Sequence, residues 1–268
     1  MADGEQVMVC DNFSLGIQGN IPPNIPVHNS IYSVPFEKVN IVYHLGNYSS
    51  APMFQFETEL RLKKTLDEFI YICEQCSDNN VKLIFASTSS IQGPHTFYSS
   101  MRECYEVIAD TYYNERGLDY VGLRFFSVYG PGERHKGVYA NCITQFIWDM
   151  IEGKSPTIYG DGTQSRDFIY VTDIVEALIN AQEYLITHEV FELGLGNTHS
   201  FNEAIGLLND ALGTQIEPTY IENPISNYVQ STISTEFYRA MQELEWKPAI
   251  SLRTGIKLIV EHYRNGGT

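Results

Sequence analysis

The densest chemistry in the chain is FASTSSIQG, Phe85 to Gly93, an apolar run that ends in four consecutive hydroxyl residues, Ser87 to Ser90. Tyr98 follows shortly, and Arg102 lies four residues beyond it. On a helix that spacing puts both side chains on one face. A fixed cation beside a phenol favours the phenolate, so the pair can serve as a base. Taken without the hydroxyl cluster, the same spacing describes a solvated helix surface, and both readings stand at this point.

Two further segments could bind a charged ligand. MVCDNFSLG, Met8 to Gly16, is a short apolar run followed at once by Asp11 and Asn12. A carboxylate at the end of the second strand of a dinucleotide-binding sheet accepts hydrogen bonds from ribose hydroxyls, a role that suits Asp11. Asp-Asn equally opens a turn. The glycine-rich phosphate turn should precede such a strand, yet no G-x-G-x-x-G stands upstream of Asp11. Gly194-Leu195-Gly196 comes too late to replace it, and Gly160-Asp161-Gly162 reads as a turn. The other segment joins LRFFSVYGPG, Leu123 to Gly132, to IYGDGTQSRDFIYVTD, Ile158 to Asp173. There Arg166 follows a glycine-rich turn and precedes an apolar strand, a placement suited to gripping a diphosphate with a bidentate fork. The alternative is a surface pair of Arg166 with Asp167.

These residues need a scaffold, and short apolar runs alternating with amphipathic stretches predict one of the α/β class, a parallel sheet with helices on both faces. Strands are expected at Gln6 to Cys10, Asn40 to Leu45, Val81 to Ser87, Tyr120 to Phe125 and Val190 to Leu195. Their carboxyl ends are where open α/β sheets hold ligands. Apolar spacing predicts helices through Leu62, Leu66, Phe69, Cys73 and Cys76, and from Tyr98 to Arg116. Asp173 with Glu176, and Ser200 with Glu203, have the form of capping boxes. Ile21 to Pro35, with four prolines, reads as a loop.

Composition narrows the function. Seventeen Lys+Arg against 33 Asp+Glu leave a formal charge of −16 over 268 residues, which repels nucleic acid and anionic membrane surfaces. No apolar run approaches the roughly 18 residues of a membrane span, and the opening MADGEQV has neither the basic start nor the apolar stretch of a signal peptide. A soluble cytoplasmic protein is expected. The five cysteines read as reduced thiols, with Cys73 and Cys76 as helix packing rather than a redox or metal pair, and no metal site is expected.

Together the segments resemble the extended short-chain dehydrogenase/reductases, and among them the NAD-dependent epimerase/dehydratase family that acts on nucleotide sugars, from about Met1 to Tyr263. HLGNYSS, His44 to Ser50, is similar to the turn bordering the nicotinamide side of the family's pocket. NPISNYV and LEWKPAISLRTGI resemble the closing segment of UDP-glucose 4-epimerases. The resemblance implies a Rossmann-like doubly wound sheet, with residues 1–132 and a returning 166–190 on the NAD side, and 133–268 mostly a smaller nucleotide-sugar-binding domain. It implies catalysis by Thr88, Tyr98 and Arg102, with Glu106 as the acid later in the same helix. NAD contacts would come from Asp11, Asn12, Leu45, Gly46, Ser87, Tyr98, Arg102 and Phe125, and nucleotide-sugar contacts from Thr88, Ser127, Arg166 and Asn227. A homodimer pairing Leu60 to Ser77 with Tyr98 to Arg116 follows by analogy.

The chain departs from the family pattern in four ways. Arg102 replaces the lysine, keeping the charge but losing the three-donor ammonium. Ser127 replaces the substrate-binding asparagine. Only four residues separate Gly93 from Tyr98, where the family has a longer loop. The sequence also begins in what resembles the helix leading into strand two, so strand one and its glycine turn are expected to be absent and NAD affinity to be weak. That would leave strands two and four facing a gap of roughly 10 Å, two strand spacings. Either the gene starts upstream of Met1, or the sheet closes up, or the protein is a remnant. The expected activity is transient oxidation and re-reduction at carbon 4 of a UDP-sugar; the alternative is a catalytically impaired nucleotide-sugar-binding homologue. Dehydration is disfavoured, since Ser89 and Ser90 stand where family dehydratases carry an Asp-Glu pair.

Overall fold

The computed structural model describes residues 5–183, 188–223 and 231–267. Along the first half run β1 (Val9–Cys10), β2 (Val27–His28), β3 (Ile41–His44), α1 (Thr58–Asn79), β4 (Lys82–Thr88), α2 (Phe97–Arg116), β5 (Tyr120–Phe125) and β6 (Ser127–Tyr129). Then come α3 (Cys142–Ile151), β7 (Thr157–Tyr159), β8 (Ser165–Arg166), β9 (Phe168–Tyr170), α4 (Val171–Glu183), β10 (Glu189–Leu193) and β11 (His199–Ser200). α5 (Phe201–Leu212), β12 (Thr219–Ile221), β13 (Ser231–Thr232), α6 (Phe237–Glu243) and α7 (Leu252–Arg264) follow.

The main sheet has the order β10-β5-β4-β3, with every pair parallel. β4, Lys-Leu-Ile-Phe-Ala-Ser-Thr, is buried along its whole length, as a strand covered on both faces must be. On one face Phe85 meets Phe69 of α1 and Tyr105 of α2, whose rings stack at 3.8 Å, a pairing worth about 0.5–1.5 kcal/mol beyond its buried area. Gly122 lies beside Phe85 because a Cβ there would stand 2.8 Å from Phe85 Cζ. On the other face Ile84, Val121, Leu123 and Phe191 pack under α4. This is a Rossmann-like α/β/α arrangement. A second core, of Tyr129, Ile143, Phe146, Phe168, Phe201, Leu208 and Ile256, gathers α3, α5 and α7. Leu244 and Trp246 join the sheet core instead, so the segment after α6 belongs to the sheet's packing although it lies far past residue 132. No helix among the described residues is long and apolar enough to cross a membrane.

β1 and β2 pair with each other and with no strand of the main sheet, in which β3 is an edge. The two sheets have not closed up. β2 falls in the proline-rich stretch read as a loop: at two residues it is too short to leave an alternating pattern. The Ser200–Glu203 capping box forms as expected, with reciprocal bonds opening α5. The Asp173–Glu176 box does not. α4 has begun two residues earlier, and the Asp173 carboxylate instead accepts the N–H groups of Ala249 and Ile250 at 3.2 and 3.1 Å, while its carbonyl accepts Trp246 Nε1–H at 2.7 Å. Cys73 and Cys76 are buried in α1, where desolvation pushes both thiols up, Cys76 to about 12. Their environment is that of packing, not of a thiolate.

Candidate active site

Strand register assembles one end of the site. The last residues of β4 and β5 lie side by side, Thr88 beside Phe125 and Ser87 beside Arg124, and Glu192 of β10 adjoins Arg124 in turn. Thr88 also caps the 3-10 turn Ser89–Gln92, its Oγ1 accepting the Ser90 N–H at 3.2 Å. The hydroxyl cluster is therefore a strand end passing into a tight turn at the carboxyl edge of the sheet, the position expected of a ligand site.

α2 packs on β4 and on that turn. Thr96 and Ser99 open the helix with a capping box, which sets Tyr98 in its first turn. Tyr98 is half-buried, 6.4 Å from the Phe54 ring by centroids. Arg102 does share its face, with its guanidinium carbon 5.7 Å from the Tyr98 ring centre and 5.2 Å from that of Tyr105. Its donors, however, are turned inward. Arg102 is 2% exposed and donates to Ala86 O at 2.8 Å and to Tyr48 O at 3.2 Å. A planar fork one helical turn below Tyr98 reaches backbone carbonyls on both sides, and it fastens the turn after β3 to β4. Leu45 and Gly46 in that turn are exposed, and a Cβ on Gly46 would meet nothing within 4 Å.

A buried polar ladder stands behind Thr88. Ser87 Oγ donates to Glu106 Oε1 at 2.5 Å, and Arg124 grips the same carboxylate through Nε and Nη2 at 2.9 and 2.7 Å. That bidentate pair raises the already high basicity of Arg124 further. Arg124, Glu192 and Gln92 carried no signal as site residues in the sequence, because their association depends on register between separate strands.

On the C-terminal side, Ser127 N donates to Asp167 O at 2.9 Å, and Ser127 Oγ accepts from the amide of Asn141, the residue capping α3. Arg166, in β8, lies over the Phe201 ring at 5.5 Å and donates to Ser165 O at 2.6 Å. The surface-pair reading of Arg166 with Asp167 is excluded: Asp167 is fully buried and accepts the N–H groups of Leu195, Gly196 and Ser234. Burial pushes its carboxyl up, and these backbone donors work against that shift. Asn227 lies outside the described residues.

The structure thus brings Ser87, Thr88, Phe125, Tyr98, Arg102 and the Leu45–Gly46 turn to one end of the main sheet. Asp11 and Asn12 sit on the separate two-stranded unit. There Asp11 Oδ1 accepts Phe13 N–H at 2.7 Å and Asn12 Oδ1 accepts Ser14 N–H at 3.0 Å, so both form turns. Gly16 leaves room for the other Asp11 oxygen, since a Cβ there would stand 2.5 Å from Oδ2. A carboxylate has the acceptor chemistry that the ribose hydroxyls of a dinucleotide need. The described residues show no glycine-turn cradle of N–H groups for its diphosphate, so the fit is to part of the group only. A cleft of about 630 Å³ between Leu195, α5 and the start of α7, floored by Phe168, Leu207 and Leu252, contains none of the expected site residues.

A Rossmann-like sheet with a hydroxyl-bearing strand end and a tyrosine-bearing helix at one edge defines a nucleotide-dependent enzyme class. Residues 31–194 match the NAD dependent epimerase/dehydratase family, and the chain belongs to it. It is similar to the UDP-glucose 4-epimerase of Thermotoga maritima solved with UDP-glucose, at 27% identity and a TM-score of 0.90 over 99% of this chain and 93% of that one. It is similar also to the UDP-N-acetylglucosamine 4-epimerase of Methanobrevibacter ruminantium, solved with UDP-N-acetylmuramic acid, at 27% identity and a TM-score of 0.89 over 97% and 91% of the two chains. A UDP-glucuronate 4-epimerase of Thermodesulfobacterium geofontis is 32% identical over 67% of this chain and 58% of its own.

Proposed function

We propose that the protein is an NAD-dependent nucleotide-sugar epimerase of the UDP-glucose/UDP-galactose 4-epimerase type. The reading rests on one juxtaposition, Thr88 at the sheet's carboxyl edge under the helix whose first turn carries Tyr98. Tyr98 takes the proton of the sugar 4-hydroxyl and later returns it. Thr88 Oγ1 already accepts from Ser90 N–H, which leaves its own hydrogen to donate to the 4-oxygen. The start of α2 and the Arg102 guanidinium both supply positive potential beside the phenolate. Arg166 holds the diphosphate, and Ser127, in the place of the family's substrate-binding asparagine, contacts the nucleotide sugar, as does Asn227. Bound NAD supplies the hydride acceptor, and then the donor, at carbon 4. Asp11 and Asn12 hold its adenosine ribose end, while Leu45, Gly46, Ser87 and Phe125 wall its nicotinamide end. Residues 1–132 with 166–190 are the cofactor side and 133–268 mostly the sugar-nucleotide side, and a homodimer pairs α1 with α2, whose Leu60 and Val107 are exposed.

Incubating the protein with UDP-galactose and saturating NAD, and following UDP-glucose by proton NMR, tests the activity. No interconversion, with UDP-sugar still bound, leaves the second reading, a nucleotide-sugar-binding homologue without turnover. That reading draws on Arg102, which stands in place of the family's lysine and bonds through Nη1 and Nη2 to two backbone carbonyls.

Two binding predictions arise here. Arg166→Ala is expected to raise the dissociation constant for UDP-glucose about tenfold or more, the worth of a charge-assisted contact; an unchanged constant by calorimetry would remove Arg166 from the diphosphate site. NAD is expected to bind this 268-residue chain weakly, because a diphosphate normally draws several N–H bonds from a glycine turn and helix start. Submicromolar NAD binding by calorimetry would contradict it and point to another phosphate site.

A further inference from the structure

We infer that Glu192 is a positioning residue that sets the sugar-contacting turn against the strands holding the diphosphate, an inference resting on the proposed function. Glu192 sits on β10 and is 7% exposed. Its Oε1 accepts the Gln92 side-chain N–H at 3.0 Å and lies 3.9 Å from Arg124 Nη1. Its Oε2 accepts Ser234 Oγ–H at 3.0 Å, Thr235 N–H at 3.0 Å and Glu236 N–H at 3.3 Å. One carboxylate therefore ties together two segments that no strand pairing joins.

Each segment leads to one part of the ligand. Gln92 ends the 3-10 turn that Thr88 begins, so the Gln92 bond fixes the far end of the turn whose near end meets the sugar 4-oxygen. Residues 234–236 continue β13, which runs parallel to β8 with Thr232 beside Arg166. β13 also packs directly on the 3-10 turn. The spacing between Thr88 and Arg166 is the length over which a nucleotide sugar must stretch, and Glu192 bonds to the turn that runs on from Thr88 and to the segment that runs on from the strand beside Arg166. Arg124 supplies the countercharge that lets a buried carboxylate accept these donors, while its stronger grip stays on Glu106.

The consequence is specific to the sugar. UDP alone uses only the Arg166 side, so loosening the turn should spare UDP and weaken UDP-glucose. Gln92 is exposed, and Gln92→Ala removes the bond with little risk to folding. Its expected effect is a rise of about fivefold in the UDP-glucose dissociation constant, the scale of one positioned hydrogen bond, with UDP changed by less than about twofold. Glu192→Ala should lose the same sugar increment, and adding Gln92→Ala to it should cost nothing further. Glu192→Gln should recover it, because the Gln92 amide can turn over and present its oxygen to the new amide.

Calorimetry of UDP and UDP-glucose on the full chain and these variants, with thermal melting alongside, separates the outcomes. Equal losses for both ligands, additive losses in the double variant, or a Gln92→Ala protein that binds UDP-glucose like the parent would each overturn the inference while leaving the epimerase reading standing. A parent chain that binds neither UDP nor UDP-glucose removes that reading and this inference with it. A merely structural Glu192 would lower the melting temperature without changing the ratio of the two constants.

Discussion

Tyr98→Phe is expected to abolish sugar interconversion while leaving UDP-glucose binding within about twofold of the parent. The phenol oxygen is the only atom removed, and it acts when the 4-hydroxyl loses its proton. A positioned acid–base group contributes about 10²- to 10⁴-fold, and with no replacement at that position the loss should reach the upper part of the range. The scaffold should survive. Tyr98 is half-buried in the first turn of α2, and the cap is built by Thr96 and Ser99, not by the tyrosine hydroxyl. Phenylalanine also keeps the ring faces that meet Phe54 and the Arg102 guanidinium. The measurement is the NMR interconversion rate at equal NAD occupancy, beside calorimetry with UDP-glucose. A variant retaining most of the rate would show that another group moves the proton.

The second large effect is on stability. His44, at the end of β3, is packed between Phe69 and Tyr105, with ring centres 5.6 and 5.7 Å away, and its Nε2 finds no partner among the described residues. Burial, with the Arg102 charge adding to it, lowers its pKa from 6.5 to about 3. The unfolded chain therefore takes up a proton below pH 6.5 that the folded chain refuses until about pH 3. The stability due to neutral His44 is complete above pH 6.5 and is lost as pH falls through that window, at about 1.4 kcal/mol per pH unit. Glu68, Asp119 and Asp167, whose carboxyls burial pushes up, act in the opposite sense nearer their own titration. The comparison is therefore made between the parent and His44→Phe, using urea unfolding between pH 6.5 and 5. The parent should lose about 2 kcal/mol more than the variant over that range, and parallel pH dependences would mean that His44 takes up its proton in the folded state.

Local signals were legible without tertiary structure. Ser200 and Glu203 made the capping box their spacing announces, and the buried run of β4 passed into the hydroxyl turn at the residues where its composition changes. Tyr98 and Arg102 share a face because four residues on a helix always do. Whether β1 and β2 would join the main sheet was left open by the sequence, and only the strand pairing decided that they stand apart from β3.

What a side chain does at its tip depended on elements distant in sequence. Arg102 bonds the Ala86 and Tyr48 carbonyls through Nη1 and Nη2, and backbone acceptors leave no trace in residue types. Asp173 looked like the start of a cap and serves the chain near Ala249, while Asp167 looked like a surface partner of Arg166 and holds three loop N–H groups in the interior. The ladder from Ser87 through Glu106 and Arg124 to Glu192 exists because register places β4, β5 and β10 side by side. The amino-acid sequence by itself determined the family, the periodicities and the hydroxyl-tyrosine pair, all of which reside in short spacings. Tertiary structure alone decided which buried charge meets which donor, because desolvated groups must find partners wherever the packed chain offers them.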